Sequence, residues 1–250
     1  MAQAADLNEE WAVFASEWIA RSEQHRDNAR EGLLDEYMLQ LLGVVAGLEV
    51  IDLGCGEGRF CRMLAERGAE TLGVDLQATF IAYAEARKGP RERYEVGDLQ
   101  HLDGLSNESF DVAVAYITLV DVPDQRAAIS EAFRVLRRGG RFVVCNVSPM
   151  ASAWSDHGPW HVDEGGVNLH FVLDDYTNEG PRRVVWQSGH EITNFHRMLS
   201  TTVNDFLDAG FVLRRLHEPV PSEEQVSRYP ENQEMCRVPM FTIYDLEKPA

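Results

Sequence analysis

Cysteine, positive charge and long apolar runs are all scarce in this chain of 250 residues. Its four cysteines (Cys55, Cys61, Cys145, Cys236) show no paired metal-ligand spacing. The opening MAQAADLNEEW has no basic segment followed by an apolar one, so no secretory leader is expected. Reduced thiols in the cytoplasm follow from those two readings. Lysine and arginine number 23 against 41 acidic residues, a net charge of −18. Such a chain has no general attraction for nucleic acid or anionic membranes. The longest apolar stretch, Val112 to Val120, is far too short to span a bilayer. Internal repeats and low-complexity segments are absent. What is present is an ordinary globular composition, 44% hydrophobic and 26% charged, long enough to bury a core without staples.

Periodicity divides the chain. Trp11, Phe14, Ala15, Trp18 and Ile19 form one helical stripe, with Asp6 and Glu9 spaced as a capping box. A second helix fits Leu33 to Leu42. From residue 49 short apolar strands alternate with helices: EVIDLG, a helix over 58–67, TLGVDL, a helix over 77–87, YEVGDL, then FDVAVAYI. Asp124 opens a helix expected to end at Gly139-Gly140, followed by the strand RFVVCNV. This alternation implies βαβ units and a parallel sheet. Residues 148–195 break the rhythm with Pro149, Pro159, Pro181 and Gly165-Gly166, and they hold three of the five tryptophans. FVLDDYT and RRVVWQ are expected to form a hairpin there. A helix near 201–209, the strand FVLRRLHE and the strand MFTIYDL complete the pattern.

The central motif is VIDLGCGEGRF, residues 50–60. A strand ends, Gly54, Gly56 and Gly58 follow at alternate positions, and a helix begins. Glycine lets backbone meet a ligand directly, and the helix amides then face it. Arg59 breaks the G-x-G-x-x-G dinucleotide fingerprint. Asp75 ends the next strand, where an acid can accept both ribose hydroxyls of an adenosine. Asp98 ends the third strand, placed to accept from an adenine amine. Asp52, inside the first strand, can order the loop or accept from a ligand ammonium. Each acid alone reads as a solvated strand end; three at successive strands beside a glycine loop read as an adenosine-ligand site.

VIDLGCGEGRF, LGVDL, VGDL, SFDVAVAYITLVDVPD and RVLRRGGRFVV together resemble the class I S-adenosylmethionine-dependent methyltransferases, in their small-molecule branch. The later NFHRMLSTTVNDFLDAGF and LHEPVP are similar to the C-terminal part of that branch. The resemblance implies an α/β, Rossmann-like fold with a seven-stranded, mostly parallel sheet whose last strand is antiparallel. It implies S-adenosylmethionine as cofactor. Gly54, Cys55, Gly56 and Gly58 would hold the methionine moiety, and Asp75 with Leu76 would hold the ribose. Asp98 and Leu99 would frame the adenine, and Tyr116 and Ile117 would floor the sulfonium. The expected organisation is one domain: helices over 1–47, a cofactor core over 48–147, a lid over 148–195, and the rest of the core over 196–250. ITLV after Tyr116 replaces the Asn/Asp-Pro-Pro-Tyr sequence of amino-group methyltransferases that act on bases.

The expected reaction is methyl transfer to an O or N atom of a small-molecule acceptor beneath an aromatic lid, by a monomer or homodimer. His196 is the candidate base, since a histidine needs little tuning near pH 7. Trp154, Trp160, Trp186 and Arg197 are the candidate acceptor contacts. No metal is expected: His157 and His161 are separated by Gly158 and Pro159, and Asp124 beside Asp121 reads as a helix cap. His25, Arg26 and Arg30 lie between the first two helices; one of the arginines could meet the cofactor carboxylate, and the reading preferred is a solvated linker. Two alternatives stand beside this: a catalytically silent S-adenosylmethionine-binding regulator and a nicotinamide-dependent oxidoreductase.

Overall fold

The computed structural model describes residues 4–25, 27–153, 159–186 and 188–250. Helix α1 (Ala4–Glu23) is followed by a π-helical turn, Arg30–Leu34, that runs directly into α2 (Asp35–Leu42). The alternating core is β1 (Glu49–Leu53), α3 (Arg59–Ala65), β2 (Glu70–Asp75), α4 (Ala78–Glu85), β3 (Glu92–Val96), β4 (Phe110–Tyr116), α5 (Gln125–Val135) and β5 (Leu136–Val147). Then come β6 (Trp160–Val162), β7 (Asn168–Phe171), β8 (Gly180–Val185) and β9 (Glu191–His196). The chain returns through α6 (Leu199–Asp208), β10 (Val212–His217), α7 (Glu223–Arg228) and β11 (Phe241–Glu247).

Seven strands form one sheet in the order β10-β11-β5-β4-β1-β2-β3. β1 pairs parallel with both β2 and β4, and β11 runs antiparallel to both β5 and β10. Strand order therefore reverses between β1 and β4, the place where open α/β sheets leave a crevice at their carboxyl ends. β4 shows why both faces are covered. Ala113 and Ala115 join the cluster of Phe142, Phe206 and Tyr244, while Val112, Val114 and Tyr116 face Leu34, Met38 and Phe60. Successive residues of one strand thus feed two cores.

Four local expectations change. α1 already runs through Asp6 from Ala4, so Asp6 does not cap it. Helix α5 is capped by Asp124, whose side chain accepts from the Ala127 amide at 3.0 Å, but it ends at Val135. Fully buried Leu136 is already extended and pairs with Phe110, so the two glycines fall inside β5. The 148–195 region holds two hairpins: β6 pairs with β7, and β8 pairs with β9. Asp163, whose carboxylate accepts from the Gly165 and Val167 amides, makes the first turn, and Gly189 at φ +85° lies in the second. Finally, β3 ends at Val96, so Asp98 sits in the loop beyond it.

Candidate active site

One cavity of about 950 Å³ opens at the carboxyl ends of β1, β2 and β4, and its lining is largely apolar. The loop from β1 to α3 forms its base, and each glycine there has a different reason. A Cβ on Gly54 would fall 2.1 Å from Thr118 Cγ2. A Cβ on Gly58 would fall 2.6 Å from the Tyr94 hydroxyl and 2.7 Å from its ring, and Gly58 is not among the lining residues. Gly58 is therefore a packing glycine, a correction to its expected place against a ligand. Gly56 has φ +55° and a Cβ there would meet nothing within 4 Å, because it faces the open cavity. Asp75 fixes this loop: one carboxylate oxygen accepts from the Gly56 amide at 2.9 Å and the other from the Gln77 amide at 2.8 Å.

Cys55, Leu76, Leu99, Tyr116 and Ile117 all line the cavity, as do Asp52, Asp75 and Asp98. Ile117 has φ +57°, a left-handed conformation that costs a β-branched residue strain. Asp98 is shared with Gln100, whose side-chain amide donates to both of its oxygens. Asp52 is buried; the Cys61 thiol donates to Oδ2 at 3.5 Å, and Oδ1 has no partner among the described residues. Burial raises the Asp52 carboxyl to about 7 and the Asp75 carboxyl to about 6. A buried acceptor with no donor, on a residue that lines the cavity, suits a bound cation.

The opposite wall is aromatic. Trp11, Phe14 and Trp18 stack along α1, and Trp186 lies 5.1 Å from Phe14 and 5.6 Å from Trp18, ring to ring. Glu57 of the glycine loop ties this wall down, accepting from Trp18 Nε1 at 3.0 Å and from Ser22 Oγ at 2.6 Å. The helical stripe of α1 thus faces the site through Trp11 and Trp18. Arg30 is the larger surprise. Its guanidinium lies over the Trp18 and Tyr116 rings, pairs with Asp27 at 2.6 Å, and lines the cavity. The solvated-linker reading of Arg30 is corrected; Arg26 lies outside the described residues.

The expected acceptor contacts fare unevenly. Trp186 is in the wall, with a buried indole N–H that has no partner among the described residues. Trp160 instead packs in the β6–β7 hairpin against Phe171, with Arg237 over its ring, away from the cavity. Trp154 and His157 lie outside the described residues. Arg197 does not reach the cavity: it donates to the carbonyls of Leu119, Val122 and Pro123, and burial lowers it to about 10. It braces the loop after β4. His196 lines the cavity, yet is only 1% exposed and both ring nitrogens are engaged. Nε2 lies 2.8 Å from the Tyr176 carbonyl and donates to it; Nδ1 lies 2.8 Å from Ser152 Oγ, whose hydroxyl also faces the Pro149 carbonyl at 3.2 Å. Buried, with both ring nitrogens held by protein atoms, His196 is placed as a brace between Ser152 and Tyr176. Asp121, set aside at first, also lines the cavity.

Comparisons with known proteins agree with this geometry. A family described as a methyltransferase domain matches residues 51–144. A demethylmenaquinone methyltransferase of Tropheryma whipplei is 35% identical over 44% of this chain and 46% of its own length. A ubiquinone biosynthesis O-methyltransferase of Idiomarina loihiensis is 32% identical over 43% of this chain and 46% of its own. The aligned part therefore spans less than half of these two curated relatives. The crystal structure of an S-adenosylmethionine dependent methyltransferase from Mesorhizobium loti extends the likeness beyond the core. It is 32% identical, covers 85% of this chain and 94% of its own, and superposes with a TM-score of 0.74. Shared sequence at that level, across nearly all of a methyltransferase and on the same sheet, makes this chain a member of the S-adenosylmethionine-dependent methyltransferase family.

Proposed function

We propose that the chain transfers the methyl group of S-adenosylmethionine to an O or N atom of a small molecule held between the glycine loop and the aromatic wall. The observation that carries this is the continuity of the cavity, which runs from Gly56 and Asp75 to Trp186 and Asn194 without a dividing wall. Its residues fit the cofactor. Gly54 to Gly56 would take the methionine moiety on bare backbone, and the unpartnered Asp52 Oδ1 would accept from its ammonium. Asp75 retains lone pairs beyond its two amide bonds for ribose hydroxyls. Asp98 and Leu99 would frame the adenine, and Tyr116 and Ile117 would floor the reacting end. Arg30 would meet the methionine carboxylate.

When bound, S-adenosylmethionine supplies an electrophilic methyl group. The chain's own work is to align the acceptor and exclude water, because charge disperses as the methyl moves and a dry pocket favours that. Residues 148–195, through β8, β9 and Trp186, would serve with α1 as the lid. The naming of quinone-pathway methyltransferases among the relatives supports a small-molecule acceptor. Incubation with methyl-labelled S-adenosylmethionine and a library of small hydroxylated and amino compounds tests the reading. Label should enter a small molecule with equimolar S-adenosylhomocysteine. Tight S-adenosylhomocysteine binding with no transfer to any compound would favour a silent binding protein.

A further inference from the structure

We propose that Asp121 takes the proton of the acceptor during methyl transfer, so that the acceptor presents an O–H or N–H group to this carboxylate. The inference rests on the methyltransferase reading and assigns within it a role for which His196, held at both ring nitrogens, is poorly placed. Asp121 ends the short turn Leu119–Asp121 that follows β4 and the strained Ile117, so it stands just beyond the expected floor of the reacting end. It lines the same cavity as Ser152, Val184, Ile192 and Asn194. Asn194, reaching across from β9, donates Nδ2–H to Asp121 Oδ1 at 2.5 Å. Oδ2 has no hydrogen-bond or ion-pair partner among the described residues.

The other carboxylates of the cavity are held on both oxygens by protein donors, except Asp52, whose free Oδ1 is taken by the cofactor ammonium in this reading. Asp27 is paired with Arg30, Glu57 with Trp18 and Ser22, Asp75 with two backbone amides, and Asp98 with Gln100. Asp52 faces Cys61 within β1. Asp121 alone of this set has one oxygen fixed by a neutral amide and the other left for a ligand. Burial raises its carboxyl to about 8; Asp75 and Glu10 add to this, while Arg30 and the Asn194 hydrogen bond oppose it. A proton acceptor poised near the working pH is what general-base transfer requires.

The step balances without a further reagent. The O–H or N–H bond of the acceptor breaks and its proton passes to Asp121 Oδ2. The pair left on the acceptor forms the new bond to methyl carbon. The pair of the old carbon–sulfur bond stays on sulfur, giving a neutral thioether. Asp121 then releases its proton to solvent as product leaves.

A base in this role must stand beside the point of methyl transfer, and that can be read without knowing the acceptor. Sinefungin carries a primary ammonium where S-adenosylmethionine carries its transferable methyl, and S-adenosylhomocysteine carries nothing there. Calorimetric titration of both ligands at pH 8.5, into wild type and Asp121→Asn, is the test. S-adenosylhomocysteine affinity should stay within about twofold, while sinefungin should weaken by about tenfold, the loss of one charge-assisted hydrogen bond. In wild type alone, the preference for sinefungin should rise by about tenfold between pH 6.5 and 8.5 as Asp121 ionises; an alkylammonium stays protonated over that range. Ionisation of Asp52 and Asp75 acts on both ligands and cancels in the ratio. That wild-type measurement decides the matter if the variant does not fold. An unchanged preference in Asp121→Asn, or a flat wild-type ratio, overturns the proposal. Equal weakening of both ligands overturns it too, since Asp121 would then serve the cofactor as a whole. Failure of wild type to bind S-adenosylhomocysteine is a different result, and it refutes the parent reading.

Discussion

Asp75 and Gly56 are coupled, since the carboxylate that faces the cavity also holds the Gly56 amide. Asp75→Ala removes the ribose partner and loosens the loop together. Each charge-assisted hydrogen bond is worth about 1.5–3 kcal/mol, so S-adenosylhomocysteine affinity should fall by about 10²-fold or more in calorimetry. Gly56→Val forces a β-branched side chain into a left-handed backbone and into open ligand space, and it should abolish binding. Circular dichroism should show the fold retained, because no protein atom lies within 4 Å of the new Cβ. His196→Ala separates its two readings. A brace lost between Ser152 and Tyr176 should lower the melting temperature by several degrees, about 1–3 kcal/mol for two unmade buried hydrogen bonds. The rate per folded molecule should stay near that of wild type; a fall of 10²-fold or more would restore the base. The positions of Gly54, Gly56 and Asp75 at the crevice were legible because strand-to-helix turns announce themselves locally. His196, Arg197 and Asp121 were not, because their roles are set by partners 44, 78 and 73 residues away.

Helix α1 covers the cavity through an aromatic face and a polar latch. Trp18 and Ser22 donate to Glu57, which is buried at the base of the site. Trp18→Phe with Ser22→Ala keeps the ring contacts and removes both donors. Amide exchange over 7–22 should then accelerate by about tenfold or more, while β1 and β4 keep their protection. Uniform loosening of the whole chain would mean that α1 is part of the global core. The heptad-like stripe of α1 was legible as one apolar face. Its target was not, since hydrophobic periodicity identifies the buried side without naming what lies against it. The same limit explains the misplaced hairpin. FVLDDYT and RRVVWQ both alternate suitably, but turn chemistry at Asp163–Gly166 and at Gly189 chose different partners.

Across the whole molecule, three of the four described aspartates whose carboxyls are raised line one crevice; the fourth, Asp35, is not among its lining residues. Asp52, Asp75 and Asp121 line it at about 7, 6 and 8, against an ordinary value of 3.8. A folded-state pKa above the unfolded one stabilises the protein when protonated, and that contribution disappears as pH rises through the folded value. Ligand-free protein should therefore lose stability between about pH 4 and 8. Asp52→Asn should flatten that decline in denaturant titrations; an unaltered slope would show Asp52 ionised with ease. The sheet, its order and its antiparallel end were legible because each βαβ unit repeats the same signals; the site's far wall was not, because four distant segments build it. The central claim is that this crevice holds S-adenosylmethionine with its reacting end toward the aromatic wall. A crystal structure with S-adenosylhomocysteine tests it most directly. The account predicts ribose hydroxyls on Asp75, the methionine ammonium on Asp52, and the sulfur facing the space between Ile117 and Asp121. A ligand bound elsewhere, or seated with its sulfur turned away from Asp121, would contradict it.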